Sequence, residues 1–225
     1  MYFTGERACY HGGMNRKRLT REDSRDQTTQ RLLDAALKLI AKKGLGDTSV
    51  EDIAAAAGYT RGAFYSNFNS KGDLFIELLR RDHERANAEF FALQNDDLTL
   101  DHIQVRARDI YGKLYRDNEC FMIWTEARML SARDAKFRAK LNALMIEKRG
   151  QIVDFIEYFN KRVGVSSAVP PTTMAMGFMS LVEGVRLFAV SSPNDMTPEN
   201  AEAILTLFVD SIMQLTRLRG TENDR

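Results

Sequence analysis

A chain of 225 residues, 44% of them hydrophobic and only four of them proline, is long enough to bury a substantial core as one or two domains. The scarcity of proline, with plentiful Ala, Leu, Arg, Glu and Lys, favours helix and disfavours a turn-rich β architecture. The net charge of +1 conceals an asymmetry: residues 16–72 hold 11 Lys and Arg against 7 Asp and Glu, whereas residues 73–225 hold 20 against 23, so the basic surplus is N-terminal.

Cys9 and Cys120 stand far apart, with no CxxC or Cys/His spacing, which indicates neither a disulfide framework nor a zinc site and fits a reducing cytoplasm. The opening MYFTGERACYHGG has no basic n-region and no apolar h-region, so it does not read as a secretory signal. Residues 1–13 read as a disordered extension, with Met14 an alternative start, and residues 1–23 together as a basic tail. Within and beside it, Arg16, Lys17, Arg18, Arg21 and Arg25 either reach phosphate and the minor groove or stay solvated. No membrane span is expected, because the most apolar run, 174–190, carries Glu183 and Arg186.

From Ser24 a helical period begins, with Leu32, Leu33, Ala36, Leu37 and Ile40 on one face and Arg31, Asp34, Lys38 and Lys42 on the other. Ser24 and Gln27 fit its start, and Gly44 its left-handed stop. Thr48 with Glu51 repeats the capping pattern and opens a short helix that turns Ile53, Ala54 and Ala57 inward and ends at Gly58. Thr60 caps a third helix running to about Phe68, and Ser70 with Asp73 starts a fourth that carries Leu74, Phe75, Leu78 and Leu79. Beyond the polar Gln94–Asp97 break, helices are expected over about 100–116, 119–130, 134–162, 172–190 and 198–218. The fold class is all-α, with a three-helix N-terminal domain over 24–72 and a larger helical domain over 73–225.

The stretch TSVEDIAAAAGYTRGAFYSNFNSKGDLF, residues 48–75, reads as two short helices about a tight turn: a helix-turn-helix. Alanines 54–57 allow close approach, and Phe64 and Phe68, four apart, anchor one face in the core. The opposite face carries Arg61, Gly62, Ala63, Tyr65 and Ser66, which combine a base-edge donor, small residues and a phenol. Over roughly residues 24–75 the chain resembles the DNA-binding domain of the TetR family, through Ala57-Gly58, Tyr65, Phe68 and Lys71. Asn67 stands where many members carry a histidine.

The resemblance implies that Thr60, Arg61, Gly62, Ala63, Tyr65 and Asn67 contact DNA, with Thr48 and Lys71 bonding flanking phosphates and Arg61 foremost in base readout. It implies a homodimer on a double-stranded, palindromic operator, with half-sites roughly 34–36 Å apart or a multiple of that. The dimer surface would join Met176, Met179, Ser180, Gly184 and Leu187 to Leu205, Phe208, Val209, Ile212 and Met213, unless those stripes close the protomer's own core. For a small apolar or amphipathic effector, Phe121, Met122, Trp124, Met129, Phe155, Phe178 and Met179 offer lining. Glu126, Arg128, Glu183 and Arg186 offer polar groups, although Glu183 and Arg186, three apart, equally suit each other. Neither cofactor nor metal is called for: His11, His83 and His102 lack ligand spacing, and no phosphate loop or nucleophile elbow is present. A ligand-released repressor is therefore expected. An activator, a redox regulator through Cys120, a nonspecific DNA binder and a helical enzyme are the alternatives.

Overall fold

Thr20 opens the first helix, α1 (Arg21–Lys43): its hydroxyl accepts from Asp23 N at 3.1 Å, while Asp23 Oδ2 accepts from Thr20 N at 2.9 Å. The start therefore falls ahead of the expected Ser24 cap, because this reciprocal pair satisfies two of the helix's orphan donors. Arg21 and Arg25 consequently stand exposed on the helix itself and are not part of a loose tail. The computed structural model describes residues 20–94, 97–99, 102–103, 105–106, 109–110, 118–164 and 169–220, with backbone alone at 86, 90, 118, 163, 209 and 212–220. Cys9, Met14 and the basic residues 16–18 lie outside the described residues, as does most of the helix expected over 100–116.

Gly44, at φ 79°, ends α1. Ser49 and Asp52, in place of Thr48 and Glu51, form the box that opens α2 (Val50–Ala56). Gly58, at φ 77°, turns the chain, and Tyr59 N donates back to Ala54 O at 2.8 Å. Thr60 caps α3 (Arg61–Asn67), and Ser70 Oγ accepts from Asp73 N at 3.1 Å where α4 (Lys71–Phe91) begins. Asp134, between α5 (Asn118–Arg133) and α6 (Ala135–Val163), accepts from Lys136 N and Phe137 N; Gly164 at φ 71° closes α6. Pro171 sits in the first turn of α7 (Pro171–Ser191), and α8 (Pro198–Gly220) follows. The described residues thus form eight helices and no strand.

Leu32, Leu33 and Ala36 of α1, Ile53 of α2, Phe64 of α3 and Leu74, Phe75 and Leu78 of α4 are almost wholly buried in one cluster. Ile123 and Ala127 of α5, and Leu141 and Leu144 of α6, complete that same cluster. Phe75 stacks on Phe137 with ring centroids 5.6 Å apart. Each such side chain contributes about 1.5–3 kcal/mol on burial, so α1–α4 are held to α5 and α6 as firmly as to one another. The expected division at residue 72 falls within the first turn of α4 and does not interrupt this packing.

A second cluster joins Leu93, Ile110, Phe178, Val185, Ala201 and Leu205. Leu205 and Phe208, expected on a dimer surface, face this interior instead: Leu205 is 3% exposed, and the Phe208 ring lies 6.1 Å from that of Phe178. The side chains of Val209, Ile212 and Met213 lie outside the described residues. Among the described helices α7 is long and apolar enough to cross a membrane by length and composition; it packs here between α6 and α8.

Candidate nucleic-acid interface and effector cavity

The third helix is held by one face and free on the other. Phe64 is wholly buried and Phe68 nearly so, with ring centroids 5.7 Å apart, while Thr60, Arg61, Gly62, Tyr65 and Ser66 are exposed and Ala63 is partly so. The Thr60 hydroxyl accepts from Ala63 N at 3.3 Å. Arg61 pairs with Glu51 at 2.7 Å, its side chain 65% exposed, and its guanidinium carbon lies 5.5 Å from the Tyr65 ring centroid. A pair this open to solvent is worth little, so Arg61 is oriented without being sequestered. The face therefore offers a guanidinium and a phenol beside small residues that let a duplex approach closely.

Three residues expected to contact DNA have work inside the fold. Thr48 has no exposed surface, and its hydroxyl donates to Gly44 O at 2.7 Å, which corrects its expected phosphate contact. Lys71 Nζ donates to Leu45 O at 2.6 Å and Thr48 O at 2.8 Å, pinning the α1–α2 loop to the start of α4. Asn67 Nδ2 donates to Ala63 O, and Asn67 Oδ1 accepts from Thr29 at 3.1 Å, fastening α3 to α1. The resemblance implied a DNA contact for all three, but backbone carbonyls of the fold itself take their donors.

A cavity of about 350 Å³ lies between α4, α5, α6 and α7. Phe121, Trp124, Arg128 and Met129 line it from α5, Phe155 from α6, and Phe178, Met179, Glu183 and Arg186 from α7. Met122 does not: one position on from Phe121, it is 42% exposed on the outer face of α5. Glu126 is likewise turned away, accepting from Leu45 N at 3.1 Å at the end of α1. Glu183 pairs with Arg128 across the cavity mouth and not with Arg186, whose guanidinium carbon lies 5.2 Å from the Phe121 ring centroid. Asp82 of α4 accepts from Trp124 Nε1 at 2.7 Å and from the buried Cys120 thiol at 2.8 Å, fixing α5 against α4.

His83, Lys148 and Gln151 also line the cavity and were not singled out in the sequence. A readable signal exists: His83 continues the Phe75–Leu79 stripe of α4, and Lys148 the Leu141–Leu144 stripe of α6, so both interrupt buried faces. Burial, then the nearby Lys148 charge, holds His83 at about 4 and therefore neutral at pH 7. Burial also draws the Lys148 ammonium below the usual lysine value.

Comparison with known proteins agrees with this geometry. Residues 32–78 match the profile of the bacterial regulatory proteins, tetR family. The HTH-type transcriptional regulator AcrR of Shigella flexneri is 46% identical over 61 residues, a stretch that is 27% of this chain and 28% of that regulator. GusR of Salmonella enterica superposes with a TM-score of 0.70 at 20% identity, covering 89% of this chain and 100% of that one. The SmeT–triclosan complex does so with 0.65 at 22% identity, covering 82% and 90% respectively. At those identities the structures speak for the fold.

Proposed function

This chain belongs, through its N-terminal helices, to the tetR family of bacterial regulatory proteins, and from that premise we propose that it is a DNA-binding repressor released by a small apolar or amphipathic effector. The observation that carries this reading is α3 itself: anchored by Phe64 and Phe68, it presents Arg61 and Tyr65 outward. On that face Arg61 reads base edges in the major groove, Tyr65 and Thr60 bond phosphate, and Gly62 and Ala63 allow the approach. Asn67 and Lys71 act indirectly, by holding α3 and the α1–α2 loop in register.

One trihelical head covers too few base pairs for useful specificity, so the protein works as a homodimer on a palindromic operator in the cytoplasm. The exposed apolar residues of α7, including Met176, Leu187 and Phe188, with Leu207 of α8, favour that pairing. The cavity takes the effector, as the cited SmeT structure holds triclosan. Two elements join cavity and head. α4 carries His83 in the cavity wall and Phe75 in the head's core, and α5 carries Trp124 in the wall and Glu126 on the end of α1. An effector that prefers one arrangement of α4 and α5 shifts the heads apart or together by its differential affinity, typically about 1–3 kcal/mol.

The test is selection of bound duplexes from a random pool, followed by a compound screen for release of the selected site. An inverted repeat is expected, with release by cavity-binding compounds. Uniform retention of all duplexes, with equal displacement by competitor DNA of any sequence, would defeat the reading.

A further inference from the structure

The cavity holds a lysine that its apolar body does not require. Among the described lining residues are three cations, Arg128, Lys148 and Arg186, and one carboxylate, Glu183, already engaged by Arg128. Lys148 forms no direct ion pair with a described carboxylate, Glu183 and Asp82 acting on it only from longer range; its ammonium sits 4.5 Å from the Trp124 ring centroid. A ring face restores only part of the hydration that a partly buried ammonium gives up. His83, 6% exposed, leaves Nε2 without a hydrogen-bond partner, and Gln151 leaves its side-chain oxygen so. Polar atoms this well buried are ordinarily satisfied, and both belong to the cavity wall beside Lys148.

A cationic ligand is disfavoured, because Lys148 and Arg186 already cover the Trp124 and Phe121 rings that would receive it. A neutral apolar ligand would remove what water remains around Lys148 and return nothing. An anion satisfies the ammonium and accepts from His83 Nε2 in one neutral tautomer, while the Gln151 oxygen, itself an acceptor, adds nothing for an anion.

We propose that the effector of this cavity is an organic carboxylate, with an alkyl or aryl body against Trp124, Phe155 and Phe178 and its head group on Lys148. The inference rests on the reading that the cavity is the effector site, and it names the class of effector.

Trp124 is the chain's single tryptophan, so its fluorescence reports occupancy without reference to DNA. Three probes of one chain length, decanoate, decan-1-ol and decylammonium, are titrated against the full-length protein. Decanoate should bind about tenfold or more tighter than the alcohol, and decylammonium weakest. Lys148→Met should abolish the preference for decanoate over the alcohol, while Lys148→Arg should keep the preference and guard against a folding defect in the first variant. Equal affinity for all three probes overturns the inference while leaving the cavity an effector site. Undiminished decanoate preference in folded Lys148→Met also overturns it. If none of the probes binds, the carboxylate class is refuted, whereas the cavity reading is judged separately by the operator-release screen.

Discussion

Arg61 owes its standing to what its neighbours leave it free to do. The Glu51 pair is solvent-exposed and the Tyr65 ring merely steers the guanidinium, so the proposed contact of Arg61 with a duplex would displace little. Arg61→Ala should cost roughly 1–3 kcal/mol of operator affinity and relax preference at one base position, with the thermal midpoint nearly unmoved. Repeating the duplex selection with the variant checks this, and an unchanged consensus would refute base readout. His83 supports a prediction of another kind. Held at about 4 when folded against 6.5 when exposed, it leaves the unfolded chain to bind a proton that the native chain refuses between those values. Stability is therefore full above pH 6.5, falls as the pH drops through the window, and stops falling from this cause below about 4. The loss should be on the order of 3 kcal/mol, read from urea midpoints, and His83→Leu should flatten the slope. Asp52 titrates mainly below this window: Lys43 and Ser49 hold it at about 2, so most of its share is lost as the pH falls from 3.8 toward that value.

At the scale of elements, hydrophobic period located the helices well and caps located their ends less well. Both expected capping boxes of the first two helices shift: Thr20 with Asp23 replaces Ser24 with Gln27, and Ser49 with Asp52 replaces Thr48 with Glu51. A stretch rich in Ser, Thr and Asp contains several candidate caps, and local spacing does not choose among them. Thr48 is decided by its burial against Gly44 O, a consequence of how α1 and α2 meet. Lys71 shows the same choice with an energetic consequence. Its ammonium satisfies the carbonyls of Leu45 and Thr48, so Lys71→Met leaves partly buried acceptors unpaired and should destabilise the fold by about 1–3 kcal/mol. Chemical denaturation measures the loss. The salt dependence of DNA binding in the surviving folded fraction should stay as it was, since no phosphate contact is removed; a slope lowered by about one charge would return Lys71 to the interface.

For the whole molecule, the apolar residues of α7 and α8 divide between two tasks. Leu205 and Phe208 go to the chain's own core, while Phe188, 57% exposed, and Leu207, 68% exposed, stay on the surface to which the proposed pairing is assigned. Phe188→Glu should convert the dimer to monomer in sedimentation and weaken operator binding by at least about tenfold, as the second head ceases to be held near its half-site. A variant that stays dimeric would place the interface elsewhere. Sequence alone settled the all-helical class, the helix-turn-helix and its outward residues, because period, glycine turns and the Phe64–Phe68 anchor are local properties of the chain. It also supplied most of the aromatic cavity wall, since large apolar side chains on amphipathic helices must face inward somewhere. Only the tertiary structure decided which polar groups share that wall. Lys148 and His83 lie on different helices, Glu126 turns to the end of α1 while Arg128, two residues on, meets Glu183, and such choices depend on how four helices cross rather than on any one helix's own pattern.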